Sequence, residues 1–444
     1  MADRVELSGW GLYPRRATRL RRAGQPADVS ALLDPAGTVA RGNGRAYGDA
    51  AIGLSTTIDM RRLDRLIAFD HATGLLVAEA GLTLADIIDI FLPRGWFPAV
   101  TPGTKFVTLG GAIAADVHGK NHHGEGSFRR HVAWFDLLGP DGVERRCSHE
   151  DHAELFHWTI GGMGLTGTIL RAAVRLRPVE SAWIRQRTIA TSSLAETMDA
   201  FEASADATYS VAWIDTLATG RSLGRSILML GEHARAEELP AEVAKAPFAR
   251  RRGPTLDVPL TPPFSIVGGP VVRAFNALYY ARHRRKTGTS LVPIDSFFYP
   301  LDAILRWNRI YGRRGFVQFQ CVLPLASAQT GLTAMLSRIA ATGTGSFLAV
   351  LKRMGAEEGP FSFPMDGYTL ALDFPVGRRT AALTAELRAM TRDHGGRLYL
   401  AKDAQMTDVE MAALDPRGLA FARWRRDGGM AGPLRSYQSE RLGL

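Results

Sequence analysis

The chain is poor in cysteine and has no long apolar segment. Its 444 residues include only two cysteines, Cys147 and Cys321, which excludes a disulfide framework and a cysteine-ligated zinc site. No apolar run approaches the roughly 18 residues of a membrane-spanning helix, and the N-terminal residues contain no apolar signal core. We therefore expect a cytoplasmic protein, or one peripheral at the inner membrane, without a signal peptide or transmembrane segment.

Internal repeats and low-complexity tracts are also absent. The composition, with 46% hydrophobic and 22% charged residues, is that of a globular protein, and the length predicts two or three domains. Acidic residues are outnumbered by basic ones, 44 to 54, which gives a net charge of +10. Such a chain attracts anions, which include phosphorylated substrates, nucleic acids and acidic lipid surfaces.

Glycine-rich loops alternate with short β-rich runs over the first 180 residues, and this pattern predicts an α+β fold. The TLADIIDIF segment predicts a helix over 83–91 that Thr83 caps, and a second helix is predicted over 153–159. Strands are predicted over 37–39, 75–79, 134–138 and 168–177.

The pattern changes near Val179, where strands and helices begin to alternate as in a domain built on an antiparallel sheet. Residues 240–290 are basic, proline-rich and poorly periodic, which predicts a long loop. From Arg397 we expect a short strand and a helical tail. The predicted helices cover 192–204, 326–342 and 379–394, and the predicted strands cover 209–213, 226–230, 316–323, 346–353 and 368–374.

A first glycine cluster, ARGNGRAYGDA, occupies residues 40–50. Glycines tolerate positive φ, so successive amides can converge on an anion, and Arg41 and Arg45 add positive charge. The spacing is not that of a Rossmann loop, because a strand-like segment follows instead of a helix, and the lysine of a P-loop is missing. A glycine-rich hairpin turn is the simpler alternative.

Two more glycine clusters follow. In the second, over 101–114, Thr108 can cap a short helix whose free N–H groups face a phosphate or a flavin edge. Close helix packing would use the same small residues. The third cluster, GGMGLTG over 161–167, is weak evidence by itself.

The segment HGKNHH places three histidines within six residues. His118 and His122 have the i, i+4 spacing of helical metal ligands, but the surrounding glycines disfavour a helix and no HExxH motif is present. We therefore predict no metal site. A polar, cationic cavity lining fits better, with Lys120 meeting an anionic group of the substrate.

The glycine clusters, in the order RGNGRAYGD, PGT…TLGGAIAADVHGKNHH and GGMGLTGTI, resemble the flavin oxidases of the vanillyl-alcohol oxidase type. The further segments WNRIYGRRGFVQFQCVLP, SFLAVLKRMG and RLYLAKD are similar to those of decaprenylphosphoryl-β-D-ribose 2′-oxidases, and this resemblance runs from about residue 9 to 444. It implies an α+β fold in which a two-part PCMH-type FAD-binding domain, residues 1–180 and 397–444, carries a central antiparallel-sheet cap, residues 181–396.

The same resemblance implies noncovalently bound FAD and a set of contacts to it. The loop over 40–50 would hold the pyrophosphate, and the later residues would line the adenosine, ribityl and flavin portions. The implied cofactor-binding residues are Ala40, Arg41, Gly42, Asn43, Gly44, Arg45, Ala46, Tyr47, Gly48, Asp49, Ala50, Gly103, Thr108, Leu109, Gly110, Gly111, Ala115, Asp116, Val117, His118, Ile169 and Tyr399.

On the substrate side, the resemblance implies that Lys402 is catalytic, near the oxygen that loses its proton while a hydride passes to flavin N5. An ion pair between Lys402 and Asp403 or another surface acid is the structural alternative. Two positions depart from the family's mycobacterial members, which have asparagine and cysteine where this chain has Thr369 and Ala371. The implied substrate-binding residues are Tyr47, Lys120, Gln318, Gln320 and Lys352.

The resulting hypothesis is an FAD-dependent oxidoreductase that oxidises a secondary hydroxyl of a polyprenyl-phosphate-linked sugar. The enzyme alternative is an aldonolactone or alditol oxidase that acts on a free sugar, which would not need Lys120 and Lys352 together. A remote alternative is a noncatalytic nucleic-acid-binding protein, but the basic runs lack interleaved aromatic residues, so we expect no nucleic-acid partner.

The expected partners are a lipid-linked sugar phosphate, a short-chain reductase acting on the keto product, and an anionic membrane surface. The basic runs at 250–252 and 282–286 predict salt-sensitive, peripheral membrane binding without insertion.

Overall fold

The computed structural model of the chain describes residues 4–250, 256–357 and 359–444. Its first part, up to Pro178, is built on two sheets. The strands are β1 (Arg4–Ser8), β2 (Arg15–Arg22), β3 (Thr38–Arg41), β4 (Thr56–Asp59), β5 (Leu66–Asp70), β6 (Leu75–Glu79), β7 (Trp96–Pro98), β8 (Val132–Leu138), β9 (Glu144–Ser148) and β10 (Thr168–Pro178). The helices are α1 (Asp28–Ala31), α2 (Leu84–Phe91), α3 (Leu109–Ala114), α4 (His122–Glu125) and α5 (Ala153–Thr159).

The smaller sheet has the order β1-β2-β4-β3, with β4 parallel to both of its neighbours. The larger sheet is antiparallel in the order β5-β6-β10-β8-β9, and β7 also pairs with β10. Helices α2 and α3 bury Ile87, Phe91 and Ile113 in the core beneath this sheet. The predicted helix at 83–91 is confirmed, because the Thr83 hydroxyl accepts from the Asp86 amide (3.1 Å) at its start.

The central part, from Trp183 to Asp393, is built on an antiparallel sheet. Its strands are β11 (Trp183–Thr191), β12 (Tyr209–Ile214), β13 (Ser226–His233), β14 (Leu256–Asp257), β15 (Gly288–Pro293), β16 (Ile304–Leu305), β17 (Phe316–Pro324), β18 (Ala349–Met354) and β19 (Gly367–Pro375). Its helices are α6 (Leu194–Glu202), α7 (Ala241–Ala244), α8 (Gly269–His283), α9 (Ile294–Phe298), α10 (Leu325–Thr342) and α11 (Arg378–Asp393).

The large antiparallel sheet has the order β15-β11-β13-β12-β18-β19-β17, to which the C-terminal strand β20 (Arg397–Leu398) adds at the β17 edge. Successive side chains of a strand point to opposite faces. On one face, Phe319, Leu370 and Leu372 enter a core with helices α6, α10 and α11. The other face carries the polar residues that form the candidate site.

The prediction of a long loop over 240–290 is wrong. Helix α8 has 15 residues in this stretch, and it docks through Val272 and Asn276, which are almost fully buried. The Asn276 amide donates to the Asp215 carboxylate (2.8 Å). The sequence hid this helix because most of its surface is exposed and because it begins at Gly269-Pro270, without a capping side chain.

The C-terminal segment continues with α12 (Asp408–Leu414), α13 (Arg417–Asp427) and α14 (Tyr437–Leu442), which confirms the helical tail. It returns to the smaller N-terminal sheet, since the Thr38 amide donates to the Pro433 carbonyl (2.6 Å). Among the described residues, no helix is long and apolar enough to cross a bilayer.

Candidate active site

The glycine-rich loop over 40–50 follows β3 and packs against the C-terminal segment. The Tyr47 amide donates to the Ala401 carbonyl (2.9 Å), and a Cβ at Gly48 would lie 2.1 Å from the Asp403 carbonyl oxygen. A Cβ at Gly42 would lie 2.1 Å from the Thr108 hydroxyl oxygen. These glycines therefore allow the loop to touch both of its neighbours.

The two arginines of this loop have different surroundings. Arg41 donates to the Ser8 (2.7 Å) and Ala51 (3.3 Å) carbonyls, so it braces the loop. Arg45 lies over the rings of Trp10 (4.0 Å) and Phe106 (5.0 Å), and its buried Nε has no hydrogen-bond partner among the described residues. Of the two, Arg45 is the better candidate for contact with an anion.

Helix α3 begins beside this loop. The Thr108 hydroxyl accepts from the Gly111 amide (3.3 Å), which confirms Thr108 as its cap. Gly103 and Gly111 are exposed, and a Cβ at Gly103 would meet no described atom within 4 Å. This corner therefore leaves open backbone facing space that a flat ligand can fill.

The three histidines of HGKNHH contact different partners. His118 Nε2 lies 3.0 Å from the Gln320 amide nitrogen, and His123 Nε2 lies 2.7 Å from the Ala207 carbonyl oxygen. His122 accepts from the Gly355 amide (3.2 Å). Burial lowers the pKa of His118 well below its usual value, and its Nδ1 is buried without a partner among the described residues.

Asp116 serves a structural purpose. Its carboxylate is fully buried and accepts hydrogen bonds from the Arg129 amide (3.1 Å) and the Ser362 hydroxyl. Its φ of +40° bends the chain just before His118. Asp116 therefore fixes the backbone that leads into the HGKNHH segment.

Strands β17 and β19 of the large sheet contribute a buried polar face. Gln318 and Gln320 alternate on β17, and the register pairs them with Asp373 and Ala371 of β19. The Gln318 amide donates to Asp373 (2.5 Å), and the Gln320 amide donates to Thr369 (3.2 Å). The two predicted glutamines therefore lie together on one face, bonded to β19.

Lysine is scarce in this chain, and half of its lysines meet here. Only six of the 54 basic residues are lysines, and Lys120, Lys352 and Lys402 interact electrostatically. We call these three the lysine cluster. Burial lowers the pKa of Lys352 to about 8, and burial with Lys352 nearby lowers those of Lys120 and Lys402 to about 7. Among the described residues, none of the three forms an ion pair within 4 Å.

Lys402 is not paired with Asp403. The Asp403 carboxylate accepts from Arg441 (2.8 Å), which also bonds Asp49 (2.7 Å). The Lys402 ammonium instead lies 3.8 Å from the centre of the Tyr47 ring. The ion pair with Asp403 is therefore not formed, and the catalytic role of Lys402 stays a prediction.

The sequence analysis missed Asp373 and Tyr311. Burial raises the pKa of Asp373 to about 7, although Gln318 and Lys402 oppose this shift, and its Oδ2 has no hydrogen-bond partner among the described residues. The Tyr311 ring stacks on the Phe316 ring, with their centres 4.3 Å apart, and the Tyr311 hydroxyl has no hydrogen-bond partner among the described residues. Strand alternation could have indicated Asp373, because it shares a face with Thr369 and Ala371.

The remaining predicted residues lie around this centre. Tyr399 donates to the Ala115 carbonyl (2.8 Å) and lies 5.0 Å from the His118 ring. Lys120 donates to the Phe297 carbonyl beneath the cap. Ile169 and Val117 are buried in the core of the first part, so their side chains support the site from below.

These residues suit an anionic dinucleotide such as FAD. The lysine cluster concentrates amines with no carboxylate oxygen within 4 Å among the described residues, the backbone is open at Gly103 and Gly111, and buried nitrogens of Arg45 and His118 lack partners there. Such groups are normally satisfied in a folded protein, so they indicate a ligand that completes them.

Comparisons with known proteins agree with this chemistry. Residues 19–148 match the FAD binding domain family. The chain is 36% identical to decaprenylphosphoryl-beta-D-ribose oxidase of Mycolicibacterium smegmatis, over 99% of this chain and 97% of that protein. An uncharacterized protein in the mprA 5′ region of Streptomyces coelicolor is 34% identical over 82% of this chain and all of that protein. A putative D-arabinono-1,4-lactone oxidase of Neurospora crassa is 26% identical over only 32% of this chain.

Proposed function

Because the chain belongs to the decaprenylphosphoryl-β-D-ribose oxidase family, we propose that it is an FAD-dependent oxidoreductase that oxidises a secondary hydroxyl of a polyprenyl-phosphate-linked sugar. One observation carries the proposal at the site: the lysine cluster lies against the polar face of β17 and β19. FAD, when bound, supplies the acceptor for the hydride that leaves the carbinol carbon. The protein's own groups must orient the sugar and take the hydroxyl proton.

Lys402 is the proposed proton acceptor. Burial, with Lys352 nearby, lowers the pKa of Lys402 and so favours the neutral amine, whose Nζ can take the hydroxyl proton as the C–H bond breaks. The negative charge of the Asp373 carboxylate raises the pKa of Lys402 and therefore stabilises the ammonium that forms. The product is a ketone, since carbon loses a hydride and oxygen loses a proton.

Tyr47 and the two glutamines would position the sugar. Burial raises the pKa of Tyr47 well above its usual value, with Asp373 adding to the shift, so its hydroxyl stays neutral. A neutral phenol and two amides offer both donors and acceptors to sugar hydroxyls. The Gln320 amide also contacts His118. This contact would join the residues proposed to bind the sugar to those proposed to bind FAD.

Lys120 and Lys352 are the proposed phosphate anchors. An ammonium binds phosphate as a point charge, and phosphate in turn raises the pKa of a lysine that burial has lowered. A substrate without phosphate would leave these two partly buried cations without an anionic partner. The free-sugar alternative is therefore disfavoured, in agreement with the short match to the lactone oxidase.

The proposal also covers the division into domains, the place of action and the enzyme that consumes the product. The FAD domain would comprise residues 1–180 and 397–444, with the cap at 181–396, and the contacts from Tyr47 to Ala401 and from Thr38 to Pro433 support this division. A lipid-linked substrate also implies work at the inner membrane surface. A keto product implies a reductase, of the short-chain type, that consumes it.

We expect the purified protein to be yellow and to release its FAD when it is precipitated with acid. The reason is that binding here relies on charge and hydrogen bonds, which acid unfolding removes. The measurement is the visible spectrum of supernatant and pellet. A yellow pellet over a colourless supernatant would show a covalent bond and contradict the prediction.

Flavin reduction should depend on pH through Lys402. Its base form is lost as pH falls, so the rate of flavin reduction at saturating substrate should rise about tenfold per pH unit below the lowered pKa of Lys402 and level off above it. Asp373 raises the pKa of Lys402, so Asp373→Asn should move the inflection to lower pH. Anaerobic reduction rates across pH 5–9 would measure both.

Other charged and titratable groups near Lys402 also contribute to the pH profile. Lys352 acts on the pKa of Lys402 from β18, and His118 and Tyr47 face it from the first part. Burial lowers the pKa of Lys120 to about 7 and that of Lys352 to about 8, so KM should rise as pH increases through this range while the rate at saturating substrate holds. A profile of Asp373→Asn that is identical to wild type would remove Asp373 from the mechanism.

A further inference from the structure

The cap exposes an unusual number of apolar side chains in one region. Of the 14 large hydrophobic side chains that are exposed among the described residues, seven lie between residues 256 and 305. Such a concentration normally marks an interaction surface. We call these seven the apolar surface: Leu256, Leu260, Phe264, Ile266, Val271, Leu278 and Leu305.

Backbone contacts join the segments that carry these residues. Strands β14 and β16 pair in parallel, which places Leu256 beside Ile304 and Asp257 beside Leu305. Farther on, the Ile266 amide donates to the Ile310 carbonyl (3.1 Å), and helix α8 starts three residues later. The apolar surface is therefore carried by adjoining segments.

Helix α8 has the pattern of a helix that lies in an interface. Val271, Ala274, Leu278 and Ala281 recur at helical spacing, and all four are exposed. Val272 and Asn276 on the opposite side are buried against the protein. The helix therefore presents an apolar stripe outward while it is docked by its other side.

Positive charge surrounds this stripe. Residues 258–286 contain no aspartate or glutamate. Their basic side chains are exposed apart from the partly buried His283. Arg273 lies near the start of α8, and the others cluster at its end: Arg282, His283, Arg284, Arg285 and Lys286. Arg250, in contrast, is not available, because it is paired with Asp89 and Asp295. The other two arginines of that predicted run, at 251 and 252, lie outside the described residues.

The buried side of this region reaches the active site. Val267 and Val272 belong to a core cluster that also contains Tyr47, Tyr311 and Phe316. The Tyr47 ring in turn lies against the Lys402 ammonium. The apolar surface is thus one packed layer away from the residues that would hold the sugar.

We propose that the apolar surface docks on an anionic phospholipid bilayer, with its apolar side chains inserted at the headgroup boundary and its arginines against lipid phosphates. Apolar insertion and basic charge on one helix are the chemistry of interfacial membrane binding. The choice of a bilayer rests on the proposed lipid-linked substrate. Charge alone predicts purely salt-sensitive binding, whereas these side chains add a component that salt does not screen.

The test is flotation of the purified protein with vesicles of phosphatidylcholine and phosphatidylglycerol, at low and high salt. Wild type should float at low salt and retain part of its binding at high salt. A triple variant Leu260→Ser, Phe264→Ser, Leu278→Ser should lose at least tenfold in binding and keep only the salt-sensitive part. Replacing Arg282, Arg284 and Arg285 with glutamine should cost about 100-fold, at low salt only.

A matched control carries the same chemical change elsewhere. Val409→Ser with Leu419→Ser alters exposed apolar residues of α12 and α13, and it should float like wild type. The proposal is overturned if wild type does not float at low salt, or if the triple variant floats as well as wild type. Concentration-dependent self-association that the triple variant abolishes, without flotation, would assign the surface to a second copy of the chain.

Activity separates this proposal from the proposed function. On a short-chain, detergent-free substrate, the triple variant should turn over at the wild-type rate, because none of its residues touches the lysine cluster. If the protein floats but oxidises no prenyl-phosphate sugar, the proposed substrate fails and membrane docking stands.

Discussion

Replacing Lys402 with methionine is expected to slow the reduction of bound FAD by substrate roughly 10²–10⁴-fold, the usual cost of losing a general base. Methionine keeps the length of the side chain but cannot accept the hydroxyl proton. It also removes the cation that faces Tyr47 and interacts with Asp373. Anaerobic stopped-flow absorbance, which follows bleaching of the flavin, measures this step directly.

Two controls distinguish a base from a fixed charge. Lys402→Arg preserves the positive charge but cannot deprotonate, so it should be nearly as slow as Lys402→Met and should lose the pH dependence near 7. Lys245→Met removes an exposed lysine that pairs with Glu242, and it should behave as wild type. Reduction of the Lys402→Met protein at the wild-type rate would refute the assignment.

Replacing both Lys120 and Lys352 with methionine is expected to lower kcat/KM for a prenyl-phosphate sugar by about 10²–10⁴-fold. Each hydrogen bond to a charged group contributes about 1.5–3 kcal/mol, and every 1.4 kcal/mol is tenfold. The loss should appear mainly in KM, because the phosphate is bound equally before and during the reaction. Steady-state kinetics on the single and double variants would measure it.

The substrate itself supplies the control for this pair. Wild type should turn over the corresponding free sugar far more weakly, because it lacks both the phosphate and a tail that contributes roughly 0.8 kcal/mol per buried methylene. The double variant should turn over that free sugar within about threefold of wild type. If the double variant loses both activities equally, the lysines hold the fold and not the phosphate.

Much of the fold could be predicted because it follows local patterns. Strand alternation and caps predicted β6 and α5 at their observed bounds, and α2 with its cap Thr83. Helix α8 escaped prediction because its position is fixed by tertiary contacts at Val272 and Asn276 rather than by a capping motif. Its exposed apolar stripe also lacks the polar outer face that makes a surface helix recognisable.

The site residues were predictable where the residue type by itself indicates a chemical role. Lys402, Lys120 and the two glutamines are polar residues in otherwise apolar or glycine-rich segments, and the structure places them together. Asp373 was not recognised, because burial and register, which give it a raised pKa, exist only after β17 and β19 pair. Arg41 was assigned to the cofactor, yet its guanidinium is used by the carbonyls of Ser8 and Ala51, a partnership no sequence motif encodes.

The junction between the glycine-rich loop and the C-terminal segment has a consequence for biosynthesis. Tyr47 and Gly48 leave the ribosome more than 350 residues before their partners Ala401 and Asp403 are made. A nascent chain therefore carries this end of the loop without its partners while the residues in between are synthesised. Cofactor capture that depends on this junction must then wait for residues 401–403, and a stop codon that removes residues beyond 400 would yield a colourless protein despite an intact N-terminal part.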